Sequence, residues 1–190
     1  DHVKLFFPQT EQELAALENL ELSAGLKGSV MAPMRDYTPR RYDLSTFELD
    51  IDFVLHGDGP AATWAAQAEP GQYLHIGGPR GSMVVPDIFD SYLLIGDETA
   101  LPAIARRLEE LPANRRALVV VEVENALEEQ PLHSAASVEV IWVHRDVPGQ
   151  DVLKTVAGLS MPSGELYTWV ATESALSRKV RRVLLDTHGL

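Results

Sequence analysis

The sequence contains no cysteine among its 190 residues. This absence excludes disulfide bonds, a thiol nucleophile and a cysteine-ligated iron–sulfur cluster within the chain. Any redox chemistry must therefore be carried by a bound cofactor. The histidines show neither His-x-x-x-His spacing nor a sequence spacing that would pair them with carboxylates, so we expect no metal site built from them.

Positive charge is also scarce: the sequence has 16 Lys and Arg against 28 Asp and Glu, which gives a formal net charge of -12. This charge argues against a nucleic-acid partner, since nucleic-acid-binding domains usually carry a basic surface. No apolar run reaches the length of a membrane span, and no signal peptide is visible. We expect a cytoplasmic protein, without membrane insertion, that acts as a monomer.

Three familiar loop motifs are missing as well. The sequence has neither Gly-x-Gly-x-x-Gly nor Gly-x-x-x-x-Gly-Lys-Ser/Thr, which excludes both standard phosphate loops. It also lacks Gly-x-Ser-x-Gly, so Ser82 is not a credible esterase nucleophile.

The most informative segment that is present runs from Ser91 to Ile104. An apolar strand leads into Gly96 and a polar turn, and a helix with apolar residues at helical spacing follows. Asp97 or Thr99 is suited to cap this helix. The layout is that of a nucleotide pocket at the carboxyl end of a strand, but it equally fits an ordinary strand-to-helix turn.

Two different patterns divide the chain near Pro86. Before it, short alternating strands predict an antiparallel β domain, with strands at Val3–Phe7, 47–55 and 73–76 and a helix over 61–68. A polar insertion with weak helical character occupies Thr10–Gly28. After Pro86, strands alternate with helices, which predicts a doubly wound parallel sheet. Its elements are strands at 93–95, 117–123, 138–143 and 166–170 and helices at 99–111 and 174–187.

Several short segments could bind an anionic, conjugated cofactor. Arg35-Asp-Tyr-Thr38 offers a guanidinium and an aromatic ring on one strand face. Gly77–Ser82 places glycines around Arg80, so its backbone could approach a phosphate. His56 lies in a segment rich in turn-forming residues and could contact a ligand. Arg145 follows a predicted strand, at a position where a dinucleotide fold can hold a ribose or its phosphate. Taken alone, the Arg35 segment and Arg145 fit surface arginines better than a binding site, and the glycine-rich segment fits a plain turn equally well.

Taken in order, these segments resemble the siderophore-interacting protein family of flavin-dependent ferric-siderophore reductases, distant relatives of ferredoxin–NADP reductase. The likeness extends over nearly the whole chain. The segments that carry it are Asp1–Pro8, Arg35–Thr38, Asp52–Gly57, Gly59-Pro60 with Trp64, Pro70-Gly71, Gly78–Ser82, Gly96–Ile104 and Tyr167–Glu173.

The resemblance implies an FAD-binding β-barrel domain over residues 1–88 and an NAD(P)H-binding α/β domain over 89–190. FAD would lie against Arg35, Tyr37 and Thr38, with His56 close by and with Gly81 and Ser82 near the pyrophosphate. NADPH or NADH would use a second set of residues. That set comprises Asp97, Thr99, Ala100, Glu173 near the nicotinamide, and Arg145 toward the adenosine.

The resemblance also implies the substrate and the reaction. Lys4 and Arg80 match positions where the family gathers positive charge for an anionic iron chelate. The expected function is NAD(P)H-dependent reduction of a ferric siderophore, which releases Fe(II) for iron acquisition. A nicotinamide gives up two electrons together, whereas ferric iron accepts one, so a flavin between them is chemically reasonable. No catalytic acid–base residue is expected.

Two alternatives remain open at this point. One is a general flavin reductase or electron-transfer subunit of the same superfamily, and the other is a siderophore-binding module without flavin or catalysis. The family normally has further residues before the segment that matches Asp1 and a short tail after Leu190. The barrel is therefore expected to be incomplete at its N-terminal side.

Overall fold

A computed structural model describes residues 2–19 and 32–190 of the chain. The helix of the predicted insertion lies within these residues, and the rest of the insertion from Leu20 onward lies outside them. The strands are β1 Val3–Phe6, β2 Met34–Tyr37, β3 Arg41–Asp43, β4 Glu48–Asp50, β5 His75–Gly77, β6 Ser91–Asp97, β7 Arg116–Val123, β8 Ser137–His144 and β9 Leu166–Ala171. The α-helices are α1 Glu11–Glu18, α2 Pro60–Gln67, α3 Leu101–Glu110, α4 Val152–Ala157 and α5 Ser174–His188.

The chain divides into two compact units, Asp1–Val84 and Val85–Leu190. Among the described residues of the first unit, β2, β1 and β5 form an antiparallel sheet in that order, and β3 and β4 form a hairpin. Val3, Leu5 and Phe7 are buried on the core side of β1. Helix α2 covers this core with Ala61, and Pro60 occupies its first turn, where a missing N–H costs little.

The predicted strand over 47–55 is wrong in its length. Only Glu48–Asp50 forms a strand, because its partner β3 is equally short, and Phe47 has a left-handed φ of 57° at the turn. The predicted alternation nevertheless holds beyond β4. Ile51 and Phe53 pack against the core, whereas Asp52 is exposed.

The second unit is built on a four-stranded, all-parallel sheet with the order β8-β7-β6-β9. Both faces of the central strand β6 are covered, which explains its uninterrupted apolar run. Leu94 packs on one face with Ile104 of α3, and Leu93 packs on the other with Val180 of α5. Helix α4, which the sequence patterns did not predict, contributes to this second face.

The predicted fold class is confirmed: an antiparallel β unit precedes a doubly wound parallel sheet. Within residues 2–19 and 32–190, no helix combines the length and the apolar character that a membrane span requires.

Candidate functional site

The end of β2 carries the first group of predicted cofactor residues. Arg35 and Tyr37 lie opposite Leu5 and Val3 of β1, so both leave the same face of the sheet. The Arg35 guanidinium is exposed and donates one hydrogen bond of 2.8 Å to the carbonyl of Met34. No carboxylate of the described residues pairs with Arg35. Its charge is therefore available to an anion.

Tyr37 is fixed by a row of aromatic rings. Its ring centroid lies 4.6 Å from that of Phe53, which lies 5.7 Å from that of Trp64. Burial raises the pKa of the Tyr37 hydroxyl, and the nearby Arg35 charge lowers it by less. The hydroxyl therefore stays protonated at neutral pH, and the half-buried ring offers a rigid aromatic surface.

The glycine-rich loop after β5 begins at the same end of the sheet as Tyr37. A Cβ on Gly78 would lie 3.9 Å from the Val3 Cα atom, and Val3 is the strand partner of Tyr37. Further along the loop, Gly81 is exposed, and no heavy atom of the described residues lies within 4 Å of the position that its Cβ would take. The structure thus brings Tyr37, the following Thr38 and the start of the loop that carries Gly81 and Ser82 to one end of the sheet.

These groups fit a flavin nucleotide in their chemistry. A guanidinium without a described carboxylate partner suits a phosphate, a fixed aromatic ring suits a conjugated ring system, and an open glycine lets a pyrophosphate approach the backbone. We find no group of three or more potential metal ligands within the described ranges.

The remaining predicted residues of the first unit are less closely grouped. His56 is exposed, and no contact in the described part of the unit connects it to Tyr37 or to the glycine-rich loop. Lys4 donates a hydrogen bond of 2.6 Å to Asp36, its neighbour on β2, so its charge is largely offset. Arg80 is exposed, and none of the described carboxylates pairs with it.

The second unit has a topological switch point between β6 and β9. The chain moves outward from β6 to β7 and β8 and then returns to the other side of β6. Helices α3 and α5, which follow β6 and β9, pack on opposite faces of the sheet. In open α/β sheets, ligands bind in the crevice that this arrangement leaves at the carboxyl ends of the strands.

Four of the predicted nucleotide residues border this crevice. The Asp97 carboxylate accepts hydrogen bonds from the backbone N–H of Thr99 at 3.0 Å and from its hydroxyl at 2.5 Å. The bond from the backbone N–H of Thr99 caps the 3₁₀ turn Glu98–Ala100, which leads into α3. Ala100 itself is buried beneath the turn. Its side chain therefore does not face solvent, unlike the exposed Thr99 beside it.

Glu173 closes the other side of the crevice. Its carboxylate accepts hydrogen bonds from the backbone N–H groups of Ala175 and Leu176 and from the hydroxyl of Ser174. These bonds hold the pKa of Glu173 below its usual range. The residue is therefore an ionised helix cap as well as a candidate nicotinamide neighbour.

Arg145 lies just after β8 and is surrounded by carboxylates. Its two terminal nitrogens donate to the two oxygens of Glu98, one of them at 3.0 Å, and its Nε donates to Glu124 at 3.2 Å. Glu122 lies 3.7 Å away. Burial raises the pKa of Glu122, and Arg145 opposes this effect. Glu98 and Glu122 were missed by the sequence patterns because only the strand order brings them to Arg145.

Comparison with known proteins matches both units to one family. Residues 1–83 match the siderophore-interacting FAD-binding domain, and residues 89–190 match the siderophore-interacting protein domain. An NADPH-dependent ferric-chelate reductase of Escherichia coli is 34% identical over 186 residues, which cover 96% of this chain and 72% of that protein. The ferric vibriobactin reductase ViuB of Vibrio cholerae is 31% identical over 194 residues, with 100% and 72% covered.

A solved structure agrees with these matches. A siderophore utilization protein from T. fusca superposes with a TM-score of 0.80 at 39% identity, covering 100% of this chain and 74% of that one. The predicted resemblance is thus confirmed over both units: the chain belongs to the siderophore-interacting protein family.

Proposed function

We propose that this protein is an FAD-dependent reductase that takes electrons from NAD(P)H and reduces ferric siderophores for iron acquisition. The observation that carries the proposal is the meeting of Tyr37 and the glycine-rich loop at one end of the first sheet, beside Arg35, which has no carboxylate partner among the described residues. Family membership supports the same function, since two relatives are named as ferric reductases.

Residues 1–88 form the FAD-binding domain in this proposal. Arg35 holds a phosphate through its guanidinium fork, and the Tyr37 ring lies against the flavin, with Thr38 beside it. Gly81 and Ser82 line the pyrophosphate, where the absence of a side chain on Gly81 leaves room. His56 is retained as a cofactor neighbour from the family resemblance alone.

Residues 89–190 form the NAD(P)H-binding domain. Asp97, Thr99 and Ala100 line one side of the switch-point crevice and Glu173 lines the other, with Arg145 toward the adenosine. Asp97 and Glu173 already accept hydrogen bonds from backbone N–H groups. Carboxylates held in this way position a ligand and exclude water, and they are poorly placed to shuttle protons.

When bound, FAD supplies the redox chemistry by accepting a hydride and passing its electrons on singly. Over one cycle, one NAD(P)H and two ferric siderophores yield NAD(P)⁺, one proton, two Fe(II) ions and two iron-free siderophores. Iron in its lower charge state binds hard oxygen ligands less tightly, so it can leave the siderophore. In this proposal the protein's own residues bind and orient the cofactors and the substrate.

The anionic iron chelate is assigned to Lys4 and Arg80. Arg80 is the stronger candidate because no described carboxylate offsets its charge, whereas Lys4 is paired with Asp36. A cytoplasmic location suits a reaction that consumes NAD(P)H, and we propose that the protein works as a monomer.

Acceptor specificity tests this function directly. The purified protein with FAD should oxidise NADH or NADPH faster with a ferric siderophore than with a quinone or a protein electron acceptor. Faster turnover with quinone or protein would instead favour a general flavin reductase or an electron-transfer subunit. Tight binding of a ferric siderophore with no FAD binding and no iron reduction would identify a non-catalytic binding module.

A further inference from the structure

The carboxyl edge of the parallel sheet carries an excess of negative charge at one point. Arg145 is bound there by Glu98 and Glu124, with Glu122 3.7 Å away. Burial raises the pKa of Glu122, the charges of Glu98, Asp97 and Asp151 raise it further, and the charge of Arg145 lowers it. One guanidinium is thus shared by three carboxylates.

This cluster lies where a nucleotide's adenosine ribose belongs in such a sheet. The strands β6, β7 and β8 are the first, second and third of the unit, and they lie side by side in the order 3-2-1-4 with β9 as the fourth. In dinucleotide-binding sheets, an acidic residue about 20 residues after the first turn accepts a bond from the ribose 2′-hydroxyl of NAD. An arginine nearby instead accommodates the 2′-phosphate of NADP.

This chain has both kinds of residue, but the carboxylates occupy the arginine. Glu98 accepts hydrogen bonds from both terminal nitrogens of Arg145. A phosphate would need the same two donors for a bidentate contact. Glu122 and Glu124 supply acceptors at the carboxyl end of β7, where a 2′-hydroxyl donor would be recognised. A 2′-phosphate would face a net negative charge here.

We infer that this protein selects nucleotides with a free 2′-hydroxyl, and therefore NADH over NADPH, because Glu98 holds Arg145 in an ion pair. Arg145 thus determines the choice of nucleotide, because its charge is offset by Glu98 and is not available to a 2′-phosphate. The inference rests on the proposed function, since it concerns the same nucleotide site.

The test compares two ligands that differ only in the 2′-phosphate. Adenosine 5′-monophosphate and adenosine 2′,5′-bisphosphate are titrated into the purified protein by isothermal calorimetry at low salt. We expect the monophosphate to bind about tenfold more tightly, because the 2′-phosphate meets a net negative edge. The preference should shrink at high salt, where exposed charges are screened.

Variants then attribute the preference to the ion pair. Glu98→Gln releases the guanidinium fork and should raise affinity for the bisphosphate about tenfold while leaving the monophosphate within about twofold. Glu98→Gln with Arg145→Ala should lose this gain, since the gain depends on the freed arginine. Glu110→Gln is the matched control, because it makes the same change in charge at the Arg106 ion pair on α3. Thermal unfolding verifies that all variants are folded.

The outcomes separate the inference from the proposed function. Tighter binding of the bisphosphate by the parent, or no gain in Glu98→Gln, overturns the inference and leaves the reductase intact. If neither nucleotide binds and neither NADH nor NADPH is oxidised, the proposed function itself is wrong. A parent that prefers the monophosphate and oxidises NADH faster than NADPH supports both.

Discussion

Gly96 and Ala171 are Cα partners in the last registered pair between β6 and β9, at the mouth of the switch-point crevice. A Cβ on Gly96 would lie 3.4 Å from the Ala171 carbonyl oxygen and only 2.5 Å from the Cβ atom of Ala100. The Ile104 Cδ1 atom would be 3.0 Å away. Glycine is therefore required here so that α3 can begin directly against the carboxyl ends of the two strands.

Replacing this glycine should destabilise the second unit. Gly96→Ala forces the start of α3 away from β6, and overpacking of this kind costs about 1–3 kcal/mol of unfolding free energy. Urea denaturation of the protein without added FAD measures the change.

The control for this prediction is Gly81→Ala, because the described part of the chain places no heavy atom within 4 Å of the new methyl group. Equal stability of Gly96→Ala and Gly81→Ala would show that the close approach at Gly96 is not a structural constraint.

The Arg35 side chain should contribute to FAD affinity and not to the stability of the fold. Its only recorded hydrogen bond within the described residues is to the neighbouring carbonyl of Met34, so Arg35→Ala removes little from the folded protein. A charge-assisted phosphate contact contributes about 1.5–3 kcal/mol, so FAD affinity should fall about tenfold to a hundredfold. Arg35→Lys should be intermediate because it keeps the charge and loses the fork. Flavin fluorescence quenching gives the dissociation constants.

Arg41→Ala serves as the matched control for Arg35. Arg41 lies on the neighbouring hairpin and is paired with Asp43, Glu48 and Asp50. Its loss should leave FAD affinity unchanged. The assignment of Arg35 fails if both variants bind FAD as tightly as the parent.

Much of this architecture could be predicted from the sequence, for identifiable reasons. The buried run Tyr92–Ile95 and the apolar spacing of Ile104 and Leu108 report directly on burial, and the structure places β6 and α3 there. Strand β3 was not predicted. It is three residues long, pairs with the equally short β4, and has no apolar alternation to reveal it.

The sequence indicated which residues belong to the candidate site, but it did not predict which of them contact one another. Tyr37 and the Gly78 loop come together through the registers of β1 with β2 and β5. The pairing of Arg145 with Glu98 depends on the parallel order of β6, β7 and β8. Neither relationship leaves a local sequence signal, because each is set by which strands become neighbours.

Glu173 should give the protein a specific sensitivity to acid. Backbone N–H groups of Ala175 and Leu176 hold the pKa of this carboxyl below its ordinary value of 4.5 in the folded state. The ionised form therefore stabilises the fold above that ordinary value, and the stabilisation is lost as the pH falls through the lowered one. Glu173→Gln keeps an acceptor oxygen and loses the charge. Its stability should fall below that of the parent at about pH 7, and the difference should shrink as the pH falls below 4.5 and through the lowered pKa of Glu173.

Urea unfolding at a series of pH values makes this comparison. Glu139→Gln is the control, since Glu139 is an exposed carboxylate on β8 that caps no helix. A constant difference between parent and Glu173→Gln across the whole pH range would contradict the capping role of the charge.

The two proposed substrate cations should differ in their effect. Arg80→Ala removes a charge that no described carboxylate offsets, so KM for an anionic ferric chelate should rise about fivefold to tenfold. Lys4→Ala should raise KM less, because Asp36 already offsets that charge. Both variants should keep their FAD content and their KM for an uncharged chelate. Steady-state kinetics gives the KM of each variant for one anionic and one neutral chelate, for comparison with the parent.

Lys154→Ala provides the control, since it removes an exposed cation from α4 in the second unit. If Arg80→Ala and Lys4→Ala both reduce the anionic chelate with parental KM values, the positive charges do not recognise the substrate.

The central claim is that electrons pass from NAD(P)H through bound FAD to siderophore iron, and one anaerobic absorbance experiment tests it. The purified protein is loaded with FAD, mixed with NADH or NADPH, and then mixed with a ferric siderophore. If electrons follow this path, the flavin absorbance bleaches on the first addition and returns on the second, with two Fe(II) ions formed per flavin reoxidised. A protein that binds no flavin, or a reduced flavin that stays bleached in the presence of the ferric siderophore, would contradict it.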